Sequence, residues 1–347
     1  MEFGIGLFGD LSYHAESGRF RPADQRLTEM IEEIKLADRL GLDVVALGEH
    51  HRPDYAIAST EVALAALASV TKRIKLASGV TVLSSADPVK VYQNFATLDL
   101  LSKGRAEIIA GRGSFIESFP LYGYQLEDYD ALFSEKLELL LAVNRDVQIT
   151  WEGKFRAPLR NQDVYPRALN ERPLPIWLAV GGTPASLHRA GVLGLPLILA
   201  IIGGTPVQFK DHVAYYRKVY TDSGHDVNSM QVGIHSHTFV SDSQSSLVSD
   251  YFPAYAAQMD RVGRSRGWPP YTRSQFEAGM SSHGALFMGN PKEVADKIVK
   301  VSKLFGLTRF VAHMDVGDPG HEAMMRSIEL YAKEVVPAVK KALADNS

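Results

Sequence analysis

The segment Ile74–Gly113, IKLASGVTVLSSADPVKVYQNFATLDLLSKGRAEIIAGRG, constrains the fold more tightly than any other part of this chain. An apolar, β-branched run from Ile74 to Leu83 leads to Asp87-Pro88, an N-cap acceptor followed by a proline whose fixed φ suits the first helical position. Val91, Phe95, Leu98 and Leu101 then recur at helical spacing, Ser102-Lys103-Gly104 supplies a glycine C-cap, and Ala106 to Ala110 forms a second apolar run. Strand, helix and strand in that order make a crossover, and a crossover joins parallel strands.

The same unit repeats along the chain. Phe3 to Phe8 reads as a strand, a helix beginning near Asp24 shows the apolar face Met30, Ile31, Ile34, Ala37 and Leu40 before Gly41, and Asp43 to Gly48 reads as the next strand. An amphipathic helix is expected near Tyr129 to Val143. Strands are expected at Ile176–Val180, Leu197–Ile202, Val232–Val240 and Arg309–Asp315, with a helix from about Ser245 and a last one over Glu322–Leu343. Thr183-Pro184, Thr205-Pro206 and Asn290-Pro291 repeat the cap-then-proline signal of Asp87-Pro88. Eight strands alternating with eight helices predict a parallel (β/α)8 TIM barrel, with a doubly wound open sheet as the alternative. At 347 residues the whole chain is read as a single domain, with polar loop insertions at about 151–173 and 263–284.

Several function classes are disfavoured at this level. Gly4, Gly6 and Gly9 match G-x-G-x-x-G, but they lie inside a strand rather than opening a helix, so they are not a dinucleotide site. A net charge of −3 gives no reason to expect nucleic acid or an anionic membrane as partner. Without cysteine there is no disulfide, thiolate nucleophile or cysteine-bound metal, which fits a reducing compartment. The start MEFGIGLFGD is neither a signal peptide nor a membrane span, so a cytoplasmic protein is expected. The helix over Glu61–Val70 is apolar nearly all round, and it packs either on a second subunit, giving a homodimer, or on another part of the same chain.

In a barrel of this kind the active site lies at the C-terminal strand ends. Arg112 ends the fourth strand between two glycines, where backbone can approach a ligand and a guanidinium fork can match phosphate oxygens; a salt bridge is the plainer reading. Gly181-Gly182-Thr183-Pro184, with Ser186 one turn on, offers free N–H groups and a helix dipole to the same anion, or is a tight turn with a capped helix. Glu49-His50-His51 follows the second strand, and adjacent residues there point to opposite faces, so one histidine should face the barrel mouth and the two cannot chelate one metal. His235 and His237 share a face of the seventh strand, which suits either pocket lining or, with His313 or Asp315, the ligand set of a metal-dependent hydrolase.

The run from Val80 to Gly113, with Glu49-His50-His51 and VGGTPASLHRAGVLGLPLIL after the fifth strand, resembles the flavin-dependent bacterial luciferase-like monooxygenase family. The resemblance implies a (β/α)8 barrel that binds FMN, usually supplied reduced by a separate flavin reductase, and uses O2 to oxygenate a small organic substrate. It places the FMN phosphate at Arg112 with Gly181, Gly182, Thr183 and Ser186, His50 near the flavin ring as acid/base, and a non-proline cis peptide at Gly79-Val80 beneath that ring. A deazaflavin cofactor and a flavin-binding protein without catalysis are the remaining alternatives on the same barrel. Where luciferase carries a reactive cysteine, Gly111 stands here, so light emission is not implied. The 263–284 insertion, with Arg264, Arg266, Trp268 and Tyr271, falls where the family has a segment covering the substrate.

Overall fold

The computed structural model describes residues 1–113 and 115–345. Eight parallel strands follow one another around a closed sheet: β1 Glu2–Leu7, β2 Val44–Leu47, β3 Lys75–Ser78, β4 Ala106–Gly111, β5 Ile176–Val180, β6 Leu197–Ala200, β7 Val232–Val240 and β8 Arg309–His313. Pairing of β4 with β5 (Ile108 opposite Ile176) and of β8 with β1 (Phe310 opposite Phe3) leaves no open edge, which rules out the doubly wound sheet. Helices α1 Ala23–Leu40, α2 Thr60–Val70, α3 Pro88–Ser102, α4 Tyr129–Arg145, α5 Pro184–Val192, α6 Lys210–Asp222, α7 Pro291–Phe305 and α8 His321–Leu330 follow the eight strands in turn. No helix among the described residues is long and apolar enough to cross a membrane.

Side chains alternate across each strand, so the barrel has two cores. A small one on the axis contains Val44, Ala46, Ala77, Ile109, Trp177, Ile198 and Val311, while a larger one fills the space between sheet and helices. The axial row starts at the N-terminal strand ends with charge. Arg309 is 1% exposed, pairs with Glu2 and with Glu107 at 2.6 Å, and lies 4.1 Å above the Trp177 ring; Lys75 bridges the same two glutamates at 2.6 and 3.0 Å.

The Ile74–Gly113 unit folds as a crossover, with two changes from expectation. Asp87 caps α3 by accepting from Lys90 N at 3.0 Å, but Leu101 is 59% exposed, and the stripe facing inward is Val91, Tyr92, Phe95, Leu98 and Asp99. The C-cap is Lys103 itself (φ 59°), with Gly104 (φ 89°) following it. Asp99 is fully buried because its carboxylate accepts from Ala106 N, Leu169 N and the Arg172 guanidinium. Arg105 donates to the carbonyls of Ala68 and Thr71 at the end of α2, tying that helix to the start of β4.

Other expectations shift in detail. The 151–173 insertion is no bare loop: Gln148–Trp151 pairs antiparallel with Leu159–Asp163. The 263–284 insertion contains the helix Arg273–Met280, started by a Thr272/Gln275 capping box. The sixth strand stops at Ala200, and the C-terminal helix is α8 followed by a π-helical turn, Tyr331–Val335, and the helix Val336–Ala344. Gly4 and Gly6 have a packing role: a Cβ at Gly4 would overlap Val44, and one at Gly6 would overlap the His235 ring.

Arg309→Ala should destabilise the protein by roughly 3–5 kcal/mol, because it leaves Glu107 buried and half-paired. Urea denaturation of both proteins at neutral pH measures the difference.

Candidate active site

A cavity of about 370 Å³ opens at the C-terminal ends of the strands. Its two walls differ in chemistry. Val80, Ile109, Ala179, Ile198 and Ala200, on or just beyond β3 to β6, make one wall aliphatic. Phe8, His50, Tyr55, His235, His237 and His313, from the ends of β1, β2, β7 and β8, make the other aromatic and imidazole-rich. Phe115, Met259, Arg266 and Trp268 roof it, with the Arg266 guanidinium 5.4 Å from the Phe115 ring centre and 5.0 Å from that of Trp268.

At one edge of the aliphatic wall the fourth and fifth strand ends meet. The Arg112 guanidinium pairs with Asp130, lies 5.2 Å from the Tyr129 ring centre and donates to Thr183 Oγ1 at 3.3 Å. Thr183 Oγ1 in turn donates to Ser186 Oγ at 2.9 Å. Asp87 and Asn290 spend their side chains on the cap of the following helix, whereas Thr183 makes no such bond with α5. Its hydroxyl is turned toward Arg112 instead. Gly182 has φ 106°, a conformation that favours glycine, and a Cβ at Gly181 would meet nothing within 4 Å, so the turn leaves room above the cavity edge.

The Gly79–Val80 peptide is cis, and it interrupts the third strand, which resumes at Thr81–Val82 against Ala110–Gly111. Glycine is required on both sides of this feature: a Cβ at Gly79 would come within 2.8 Å of Ala46 Cβ, and one at Gly111 within 2.7 Å of Val80 Cγ2. Glu49 anchors the resumed strand by accepting from Val82 N at 2.9 Å and holds His51 Nε2 at 2.9 Å. His51 is thereby turned from the cavity and His50 into it, as adjacent positions require.

His50 is buried, stacked on Tyr55 (centroids 4.1 Å, planes 16° apart), and its Nδ1 has no hydrogen-bond partner among the described residues. Burial first, with His313 adding to it, lowers its pKa to about 3. In this environment it is a neutral imidazole. His235 is lowered to about 3 by the same two causes, and His237 well below its ordinary range.

His235 and His237 share the cavity face, yet neither belongs to a cluster of three or more possible metal ligands among the described residues. His237 Nδ1 is committed to Tyr255 Oη at 2.7 Å, and His235 packs over Gly6. Among the described residues, Asp10, His313 and Asp315 do bring ligand atoms within 4.8 Å of one another, and so do Glu29, Glu33 and His321. The Asp315 oxygens, however, already accept from Phe8 N, Gly9 N and Arg26. Burial opposes ionisation of Asp315, but hydrogen bonding with His313 and the Arg26 charge outweigh it and hold its pKa low. Asp10, Phe8 and Tyr55 escaped the sequence reading, although Asp10 lies only three residues past β1, where strand-end logic applies.

The closed (β/α)8 barrel thus carries a glycine-flanked arginine, a Gly-Gly-Thr-Pro turn and a cis peptide at one mouth. The model of the luciferase-like monooxygenases matches residues 1–309, and the chain belongs to that family. Solved structures agree in fold. Monooxygenase RslO1 from Streptomyces bottropensis superposes with a TM-score of 0.81 at 22% identity, over 97% of this chain and 99% of that one. The oxygenating constituent of 3,6-diketocamphane monooxygenase from Pseudomonas putida, a type II Baeyer-Villiger monooxygenase solved with FMN, gives 0.74 at 20% identity, over 97% and 98%. A coenzyme F420-dependent tetrahydromethanopterin reductase from Methanopyrus kandleri gives 0.73 at 20%, also over 97% and 98%. Flavin and deazaflavin chemistry thus both occur on this barrel.

The buried neutral histidines make stability depend on pH. Their folded-state pKa values lie below the ordinary 6.5, so the unfolded chain binds the extra protons; stability is full above pH 6.5 and falls as pH drops toward about 3. Each contributes a slope of about 1.4 kcal/mol per pH unit inside that window. Urea midpoints measured across it should show a shallower slope for His235→Asn than for the wild type.

Proposed function

We propose that this protein is an FMN-dependent monooxygenase that takes reduced flavin from a separate reductase and uses O2 to oxygenate a small organic substrate. The observation that carries this reading is the hydrogen-bonded chain Arg112–Thr183–Ser186 at the edge of a two-walled cavity. One guanidinium and two hydroxyls suit a phosphate monoester, and Gly181, where a Cβ would meet nothing within 4 Å, leaves space for it. Arg112, Gly181, Gly182, Thr183 and Ser186 would hold the phosphate, and Gly79 and Val80 would lie against the ring on the aliphatic wall. FMN, when bound and reduced, supplies the electrons that activate O2.

The chain's own residues do the rest. The aliphatic wall and the Phe115–Trp268 roof exclude water from the reacting centre, which strengthens every polar contact inside. His50, being neutral, offers one donor and one acceptor nitrogen to the groups around it beside the cavity. The oxygenating constituent of 3,6-diketocamphane monooxygenase, similar in fold at 20% identity, is by its name one constituent of a monooxygenase and so supports a partner reductase here. Exposed Val62, Val70, Leu100 and Leu101 on the neighbouring helices α2 and α3 support a homodimer. The whole chain is read as one catalytic domain working in the cytoplasm.

Arg112→Ala should weaken FMN binding about 10- to 100-fold, the loss of charge-assisted hydrogen bonds to a phosphate, while leaving the fold intact. Fluorescence titration with micromolar FMN, repeated with a deazaflavin, reads this directly. Wild-type protein that takes up neither cofactor would refute the proposal, and preference for the deazaflavin would replace FMN.

A further inference from the structure

We propose that Asp130 is a built-in competitor of the phosphate: its carboxylate holds the guanidinium that a phosphate monoester needs, so the ester is held only as Asp130 turns away, and is held weakly enough to exchange. The inference deepens the reading of Arg112, Thr183 and Ser186 as a phosphate site and rests on it. Arg112 has two terminal nitrogens, and both are engaged. Its Nη2 donates to Thr183 Oγ1 at 3.3 Å, and its Nη1 donates to Asp130 Oδ1. A phosphate lying against Thr183 and Ser186 meets both prongs of the Arg112 fork only by replacing the Asp130 oxygen at Nη1. Two anions brought to one nitrogen repel each other, so carboxylate and ester exclude one another there.

Arg112 does not need Asp130 to keep its place. Its guanidinium lies 5.2 Å from the Tyr129 ring centre, and the Tyr129 hydroxyl is fixed by donating to Gly113 O at 2.8 Å. Asp130 does not need Arg112 either. Its side chain is 74% exposed, an ion pair so open to water contributes little to stability, and a carboxylate in the first turn of α4 suits the helix dipole. The charge balance points the same way. Arg189, one turn beyond Ser186 on α5, donates to Ser134 Oγ at 2.8 Å, and its pKa is lowered by burial first and then by the Arg112 charge, with Asp130 opposing. Two guanidinium charges therefore share one carboxylate. A dianionic ester balances the two cations once that carboxylate has left, and is in excess while it stays.

The test uses the full-length protein. Riboflavin carries the ring of FMN without its phosphate, so fluorescence titration with each separates the phosphate contacts from those of the ring. Asp130→Asn should tighten FMN about 3- to 10-fold and leave riboflavin within about twofold of wild type. Added to Arg112→Ala, the same substitution should tighten FMN by less than about twofold, because the competition runs through Arg112. Unchanged or weaker FMN binding by Asp130→Asn, an equal gain for riboflavin, or an undiminished gain without Arg112 would each overturn the inference. Inorganic phosphate, titrated by phosphorus NMR, keeps the two proposals apart. Failure of wild type to take up FMN removes the monooxygenase reading, yet Asp130→Asn should still bind phosphate at least about threefold more tightly than wild type. Equal binding of phosphate by the two proteins, or none by either, overturns the role of Asp130.

Discussion

Closure of the sheet through the β4–β5 and β8–β1 pairings is the constraint on which everything else in this molecule depends. Once every strand has a neighbour on both sides, side-chain direction is fixed by position alone, and one residue in two along each strand must share the axis. The axis is narrow. It takes ion pairs at the bottom, where Arg309, Glu107, Glu2 and Lys75 satisfy one another, a thin aliphatic layer above them, and rings or glycines at the top. The cavity is what remains where glycines replace side chains in that top layer and the loops do not fill the space.

The two ends of the barrel handle charge in opposite ways. At the bottom each buried acid has a cation within hydrogen-bond distance, so the charges there serve cohesion. At the mouth Asp10, Asp54 and Asp315 crowd together, and His50, His235 and His237 stay neutral because burial denies them a proton. Such an imbalance does not help the fold. It persists where a site needs polar groups that are not already paired with one another.

Much of this was legible in the sequence because strand-to-helix turns carry local chemistry. Asp87-Pro88 and Asn290-Pro291 act as caps as their residue types imply, and the spacing of β1 to β8 follows from the apolar runs between such signals. Arg112 and the Gly181–Ser186 turn could be singled out for the same reason, being strand ends with unusual residues. What escaped depends on partners distant in sequence. Leu101 looks like core by period, but Asp99 takes the buried position because Arg172 and Leu169 come to meet it. Nor does a residue type set a protonation state: the packed surroundings of Phe8, Tyr55 and His313 set that of His50. The hairpin at Gln148–Asp163 was hidden by its polar composition, since its second strand is mostly exposed.

Gly6 and His235 stand on strands far apart in the chain, and the imidazole of one occupies the space where the other would carry a methyl group. The two positions form a single packing unit, so their histories are tied. A larger residue at 6 is admissible only after 235 has become smaller, and a smaller residue at 235 leaves a void that 6 is free to fill. Selection for a new ligand at this wall would therefore proceed by paired replacements, with the order of the two steps fixed by volume.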